Sequence, residues 1–191
     1  PLVWIPGPSS LLVHRSSEIS IYGRAIMTTC NDSSSSTDIV FTWNVEEEPT
    51  IQSISLSPRY FKLEPFTLES SQTYKVSLTA TSLLTGAQSS VSISIVVQQA
   101  PIHAVIVGGN YRTVNFEDRL ILDAGSSSWD EESANGQLPD SVVYTWTYTG
   151  GVSSWEFEPM FQDMRHGSTL NISAHDLGGS TSWTFTITIS D

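Results

Sequence analysis

One pattern of residues occurs twice in this chain, and it limits the fold more than any other feature. Val40-Phe41-Thr42-Trp43 recurs as Val143-Tyr144-Thr145-Trp146, displaced by 103 residues. Further on, Leu63, Leu68, Tyr74, Val76 and Leu78 map onto Ile172, Leu177, Trp183, Phe185 and Ile187, all displaced by 109 residues. A repeat at a fixed spacing means one structural unit built twice. The 191 residues hold two such units, each large enough to bury its own core.

Within each unit, apolar and polar residues alternate in short runs such as Tyr74 to Ala80, Val91 to Ile95 and Trp183 to Ile189. That is the period of two that half-buried strands require. Ser34-Ser35-Ser36, Gly108-Gly109-Asn110, Gly150-Gly151 and Gly178-Gly179 punctuate the runs as turns. No stretch of a dozen residues shows a helical period, so the class is all-β. Polar positions are filled mainly by hydroxyls, with 32 serines and 19 threonines against 15% charged residues, as is usual on solvent-facing strands. A unit of about 105 residues with some seven strands has the size of an immunoglobulin-like sandwich. The expected organisation is one sandwich over 1–99 and a second over 100–191, with the boundary near Gln98 to Pro101.

Trp43 and Trp146 are expected on the third strand of each unit, filling the space between sheets. Leu68 and Tyr74 lie six residues apart, as do Leu177 and Trp183. In such sandwiches an aromatic at the start of the sixth strand packs over the preceding corner, and a tyrosine there bonds back to the backbone. The first unit keeps that hydroxyl and the second loses it. By the same displacement Asp191 corresponds to Ser82, so the second unit has no counterpart of Gln88 to Val97. The second sandwich is therefore expected to lack its last strand, which would come from chain beyond Asp191 or from another segment.

The formal charge is −12, from 8 Lys+Arg and 20 Asp+Glu. Such a field repels phosphate backbones and anionic lipid heads, which argues against nucleic acid and against membrane contact within this segment. It suits cations, basic proteins or simple solubility. Cys30 is the only cysteine, so no disulfide forms within these residues, and Cys30 is either a buried thiol or paired outside them. No apolar run approaches the roughly 20 residues of a membrane helix.

Ala104 to Val114, with its Gly108-Gly109 and Arg112, is followed by Leu120-Ile121-Leu122-Asp123-Ala124-Gly125-Ser126 and then by Tyr144-Thr145-Trp146. This succession resembles the REJ (receptor for egg jelly) region of polycystin-1-like proteins and the related PKD-type sandwiches. Leu68 to Ala80 is similar to the sixth-strand signature of fibronectin type III domains. The resemblance implies a fibronectin III-like sandwich over 1–99 and an REJ/PKD-like sandwich over 100–191. It also implies a slice of a large extracellular glycoprotein of the cell surface, ciliary or flagellar in the family's manner. The spacing from Asp123 to Asp130 is one residue longer than the family pattern, and the family's several cysteines are absent, which marks a divergent member.

Asp123, Asp130, Glu131, Glu132 and Asp140 concentrate carboxylates beside Ser126 to Ser128. Oxygen donors of this kind suit calcium, with Asp123, Asp130 and Glu132 as the candidate ligands. The competing reading makes Asp123 a turn cap and the rest solvated charge. Asn31-Asp32-Ser33 and Asn171-Ile172-Ser173 fit the N-glycosylation acceptor pattern. Apart from calcium and N-glycans, no cofactor is expected. Enzymatic arrangements are missing: His14, His103, His166 and His175 share no metal-binding spacing, and there is no nucleophile elbow or phosphate-cradling loop. Glu46-Glu47-Glu48 reads as a solvated hairpin tip or a patch for a basic partner. Trp129 and Trp155 fold back on the sandwich or, if exposed and coplanar, stack on sugar.

The leading expectation is a non-catalytic structural or adhesive module whose partners are neighbouring sandwich modules or other surface proteins. A carbohydrate-binding accessory module of a secreted protein is the alternative, with glycans as ligands.

Overall fold

The computed structural model describes residues 1–28, 34–35, 38–151, 157–178 and 182–191. Cys30, Asn31 and Trp155 lie outside the described residues. The chain forms two compact units, Pro1–Ala100 and Pro101–Asp191.

Unit one contains β1 (Leu2–Trp4), β2 (Ser10–His14), β3 (Ile19–Tyr22), β4 (Arg24–Thr28), β5 (Ser34–Ser35), β6 (Ile39–Val45), β7 (Tyr60–Leu63), β8 (Thr73–Ser82) and β9 (Gln88–Gln98). One sheet has the order β2-β9-β8-β6, with β2 parallel to β9 and the other pairs antiparallel. Facing it are the antiparallel pair β3-β7 and the set β1-β4-β5. The alternation read from the sequence sets which side chains point inward. On β8 it buries Tyr74, Val76, Leu78 and Ala80. Tyr74 and Val76 meet Ile93, Ile95 and Val97 of β9 and Ile19, Ile21, Phe61 and Leu63 of the facing layer, while Leu78 and Ala80 pack with Val3, Ala25 and Phe41. Burying an aliphatic or aromatic side chain this completely contributes about 1.5–3 kcal/mol each.

Gly23 separates β3 from β4 and donates its N–H to the Arg59 carbonyl at 2.8 Å. Here the backbone comes so close to the other sheet that a Cβ on Gly23 would overlap a Leu78 methyl and lie 3.0 Å from the Trp43 ring. Trp43 is half-buried in this space, 5.7 Å from Phe61 between ring centres, and donates its indole N–H to the Pro58 carbonyl at 3.0 Å. Above the corner that leads into β8, the Glu69 N–H donates to the Tyr74 hydroxyl at 3.0 Å. This is the back-bond expected of a tyrosine at that place.

Unit two contains β10 (Ile102–His103), β11 (Arg119–Asp123), β12 (Trp129–Asp130), β13 (Val143–Gly150), α1 (Phe157–Met164), β14 (Thr169–Ser173) and β15 (Trp183–Ser190). Two antiparallel pairs form the layers, β11-β14 and β13-β15, and β10-β12 adds a short third pair. Leu120, Leu122, Leu170 and Ile172 of the first layer close on Trp146 of β13, which is 1% exposed. Its indole N–H donates to the Gly167 carbonyl at 2.8 Å. Trp146 thus fills the space between layers as expected, more completely than Trp43.

The class is all-β as expected, with one short helix, α1, among the described residues. α1 has only eight residues, below the dozen at which a helical period becomes convincing in a sequence. Phe157 and Phe161, one turn apart, enter the core, and Pro159 falls in the first turn, where a missing N–H costs nothing. The room for α1 was visible. The repeat displacement grows from 103 at the tryptophan strand to 109 beyond it, so unit two carries six extra residues in the stretch where the helix lies.

Trp183 takes the place of Tyr74. It has no hydroxyl, but its indole N–H donates to the Leu177 carbonyl at 2.9 Å, so the corner keeps a side chain to backbone bond. Gly151, at φ 59°, lies where a Cβ would overlap the Trp183 ring.

Two substitutions test this account of unit one in urea unfolding of the whole chain. Gly23→Ala should destabilise it by about 1–3 kcal/mol through overpacking. Tyr74→Phe should cost about 1 kcal/mol by leaving the Glu69 N–H without its acceptor. Unchanged midpoints would contradict the close approach and the corner bond, respectively.

Candidate functional site

The acidic stretch after β11 was the first candidate. Asp123 ends β11, and its carboxylate accepts the Ser126 hydroxyl at 2.6 Å, the Ser126 N–H at 3.2 Å and the Thr169 hydroxyl at 3.5 Å. The Ser126 hydroxyl, chief among these donors, holds the Asp123 carboxyl below its ordinary value of 3.8. Asp130 lies on β12 and accepts the Glu132 N–H at 2.9 Å. Glu131 turns to His103, with 3.2 Å between Oε2 and Nε2. Among the described residues no three His, Cys, Asp or Glu side chains form a group that could hold a metal, so Asp123, Asp130 and Glu132 are not gathered into one site. Asp123 acts as the turn cap that was the competing reading of this residue.

Trp129 is 42% exposed, but His103 stacks on one of its faces with ring centres 4.0 Å apart and an interplanar angle of 14°. Asn171 lies on β14 between the buried Leu170 and Ile172 and is exposed. The four histidines do not converge on one another. His166 lies against the Tyr144 carbonyl at 3.2 Å, and His175 is 3.8 Å from the Asp176 carboxylate.

A cleft of about 690 Å³ opens in unit two between β15 and the strandless stretch 104–118. Its floor is Leu120 and Leu122 of β11, and its walls include Ile106, Phe116 and Phe185. Arg112 lines it too, and its guanidinium donates to the Ile121 carbonyl at 2.7 Å. Beside it, an aromatic cluster stiffens the β15 wall: Tyr148 packs on Phe157, Phe161 and Phe185 with centres 4.7–6.4 Å apart. The Tyr148 hydroxyl donates to Glu158, a bond that holds the Glu158 carboxyl below its usual range and pushes the Tyr148 hydroxyl up. The sequence carried a signal for this wall in the Trp183, Phe185, Ile187 alternation, but none for the cleft.

The cleft is lined by apolar side chains and by polar ones such as Asn110, Arg112 and Thr113. The sequence pattern of the REJ domain matches residues 25–191. The chain belongs to the REJ domain family. The match begins in β4 of unit one and runs through unit two, so it takes in far more than the stretch from Ala104 to Trp146. REJ domains are non-catalytic modules found in the extracellular regions of surface proteins. No curated protein matches the sequence.

Among solved structures, the three N-terminal domains of the highly immunogenic outer capsid protein Hoc of bacteriophage RB49 are similar. The identity is 15% and the TM-score 0.36, over 78% of this chain and 46% of that one. The β-glucuronidase of Parabacteroides merdae is similar at 8% identity and a TM-score of 0.28, over 98% of this chain and 21% of that one. The REJ chain thus spans about half the length of the first and a fifth of the second.

Calcium titration to millimolar concentration, followed by thermal melting, should leave the melting temperature unchanged, because the Asp123 oxygens are already engaged. A rise would show that the carboxylates regroup around the ion. Asp123→Ala should lower the melting temperature at neutral pH. Because the folded carboxyl ionises more readily than the unfolded one, its contribution is fully present above 3.8 and is lost as the pH falls through the lower folded value. The gap between the two proteins should therefore close at acid pH, and a gap independent of pH would contradict the capping role.

Proposed function

We propose that this REJ chain is a structural or adhesive module of a large extracellular surface glycoprotein, acting through contacts with neighbouring sandwich modules or other surface proteins and catalysing no reaction. The observation that carries this reading is the family match over residues 25–191. The packing within each unit supports it. Each unit has a hydrophobic core of its own, and the histidines and carboxylates described above serve turns, caps and ring stacking. Among the described residues no helix is long and apolar enough to cross a membrane. A ciliary or flagellar surface is the finer part of the proposal and rests on the likeness to polycystin-1-like proteins.

Asn171 is the glycan acceptor that the exposed outer face of β14 favours, and Asn31 remains a second acceptor by its sequence. A glycan at Asn171 would leave the core untouched, because the side chains on either side of it point inward and its own points out.

Antibodies raised against this segment should label intact, unpermeabilised cells that make the protein. Labelling only after permeabilisation would contradict the surface assignment. In the same cells Asn171→Gln should remove one glycosidase-sensitive step in electrophoretic mobility, and no change would show that Asn171 is bare.

A further inference from the structure

We propose that an outward face of unit one, formed by the stretch 51–57, β7 and the end of β3, docks a partner protein that presents apolar side chains flanked by carboxylates. Ile54, Leu56, Tyr22, Tyr60 and Arg24 would make the contact. This rests on the reading of the chain as a contact-making module and names the surface that makes the contact.

Ser53 to Ser57 alternate polar and apolar residues as a strand does, but with the polar phase turned inward. Ile51 packs against the core; beyond it Ser53 and Ser55 are half-buried, while Ile54 is 54% exposed and Leu56 is fully exposed. Serine hydroxyls fix this phase. The Ser53 hydroxyl donates to the Tyr60 carbonyl at 3.2 Å and accepts the Lys62 and Ser55 N–H groups at 2.9 and 3.2 Å. The Ser55 hydroxyl donates to the Ser57 carbonyl at 3.1 Å, and the Ile54 N–H donates to the Lys62 carbonyl at 2.9 Å. A slip of one residue would turn the isoleucine and leucine inward but break these bonds, so the apolar phase is held facing out. Unit two treats the corresponding connection, between β13 and β14, the opposite way: α1 turns Phe157 and Phe161 into the core.

The adjoining strands continue the surface. On β7 Phe61 and Leu63 point into the core, which leaves Tyr60 and Lys62 outward, and on β3 the inward Ile19 and Ile21 leave Ser20 and Tyr22 outward. Tyr22 stands opposite Tyr60, with ring centres 4.8 Å apart. Exposed apolar groups gathered in this way, rather than scattered singly, mark contact surfaces. β1 meets the face at Trp4, which pairs with Arg24, while Leu2 pairs further along β4, with Ile26.

Arg24 sets the chemistry of the partner. It is exposed, its guanidinium lies 5.4 Å from the centre of the Tyr22 ring, and among the described residues it makes no ion pair. Lys62 adds a second cation, 3.7 Å from the Glu18 carboxylate. A cation held over an aromatic ring beside an apolar patch favours a carboxylate on the incoming surface. A second copy of the chain suits the face less well. Related by two-fold symmetry, it would bring Arg24 and Lys62 against like charges, and two molecules each of formal charge −12 repel.

The probe is a synthetic peptide in which leucines alternate with aspartates, labelled for fluorescence anisotropy. One control peptide has lysines in place of the aspartates, and another has serines in place of the leucines. The leucine–aspartate peptide should bind saturably and at least about tenfold more tightly than either control, because neither charge nor apolar contact alone matches the face. Leu56→Ser and Arg24→Glu should each weaken it at least about fivefold while leaving the urea midpoint unchanged, and Arg24→Glu should turn the preference toward the lysine peptide. Absence of binding at millimolar peptide, equal binding of a control, or indifference to both substitutions would overturn the docking site while leaving the surface assignment to its own labelling test. Binding to the recombinant chain but not to the protein purified from its own cells would mean the face is covered within the whole molecule, against the proposal. Concentration-dependent dimers of the chain that Leu56→Ser abolishes would assign the face to a second copy and overturn it as well.

Discussion

The pairing of β8 along both of its edges is the constraint on which unit one depends. A strand hydrogen-bonded on two sides spends all its backbone polar groups, and its inward side chains are then sealed by neighbours in the same sheet as well as by the facing layer. That is why Val76, Leu78 and Ala80 are fully buried, and why the facing backbone can approach closely enough that only glycine fits at position 23. The Tyr74 back-bond then pins the corner that delivers the chain into this central strand. Remove one of the two flanking strands and the same alternation yields a different object.

Unit two shows that object. β15 has the alternation of β8, yet among the described residues only one of its edges is paired, and its apolar face is half covered. Its core also draws on elements that differ from those of unit one. α1 drives Phe157 and Phe161 into the core, Tyr148 gathers the surrounding rings, and Trp183 closes the corner with an indole N–H in place of a hydroxyl.

Much of this was legible in the sequence. The two displacements placed β7 opposite β14 and β8 opposite β15 in the repeat, identified both inward tryptophans, and located the corner aromatics six residues after their leucines. What could not be read depends on where atoms meet in space. Carboxylates close together in sequence do not converge: Asp123 is taken by Ser126 and Thr169, and Glu131 by His103. The helix is too short for its period to stand out, although the six extra residues marked its place. The cleft arises from a strand edge and a strandless stretch far apart in the sequence, and neither signals the other.

Residue-resolved hydrogen exchange of the isolated chain is the most direct measurement of this asymmetry. The account predicts slow exchange for the amides of β8 towards both β6 and β9. For β15 beyond Trp183 it predicts an alternation, with amides facing β13 protected and those facing away exchanging fast. Uniform protection along β15 at the level of β8 would contradict the one-sided pairing of β15 and with it the difference between the two units.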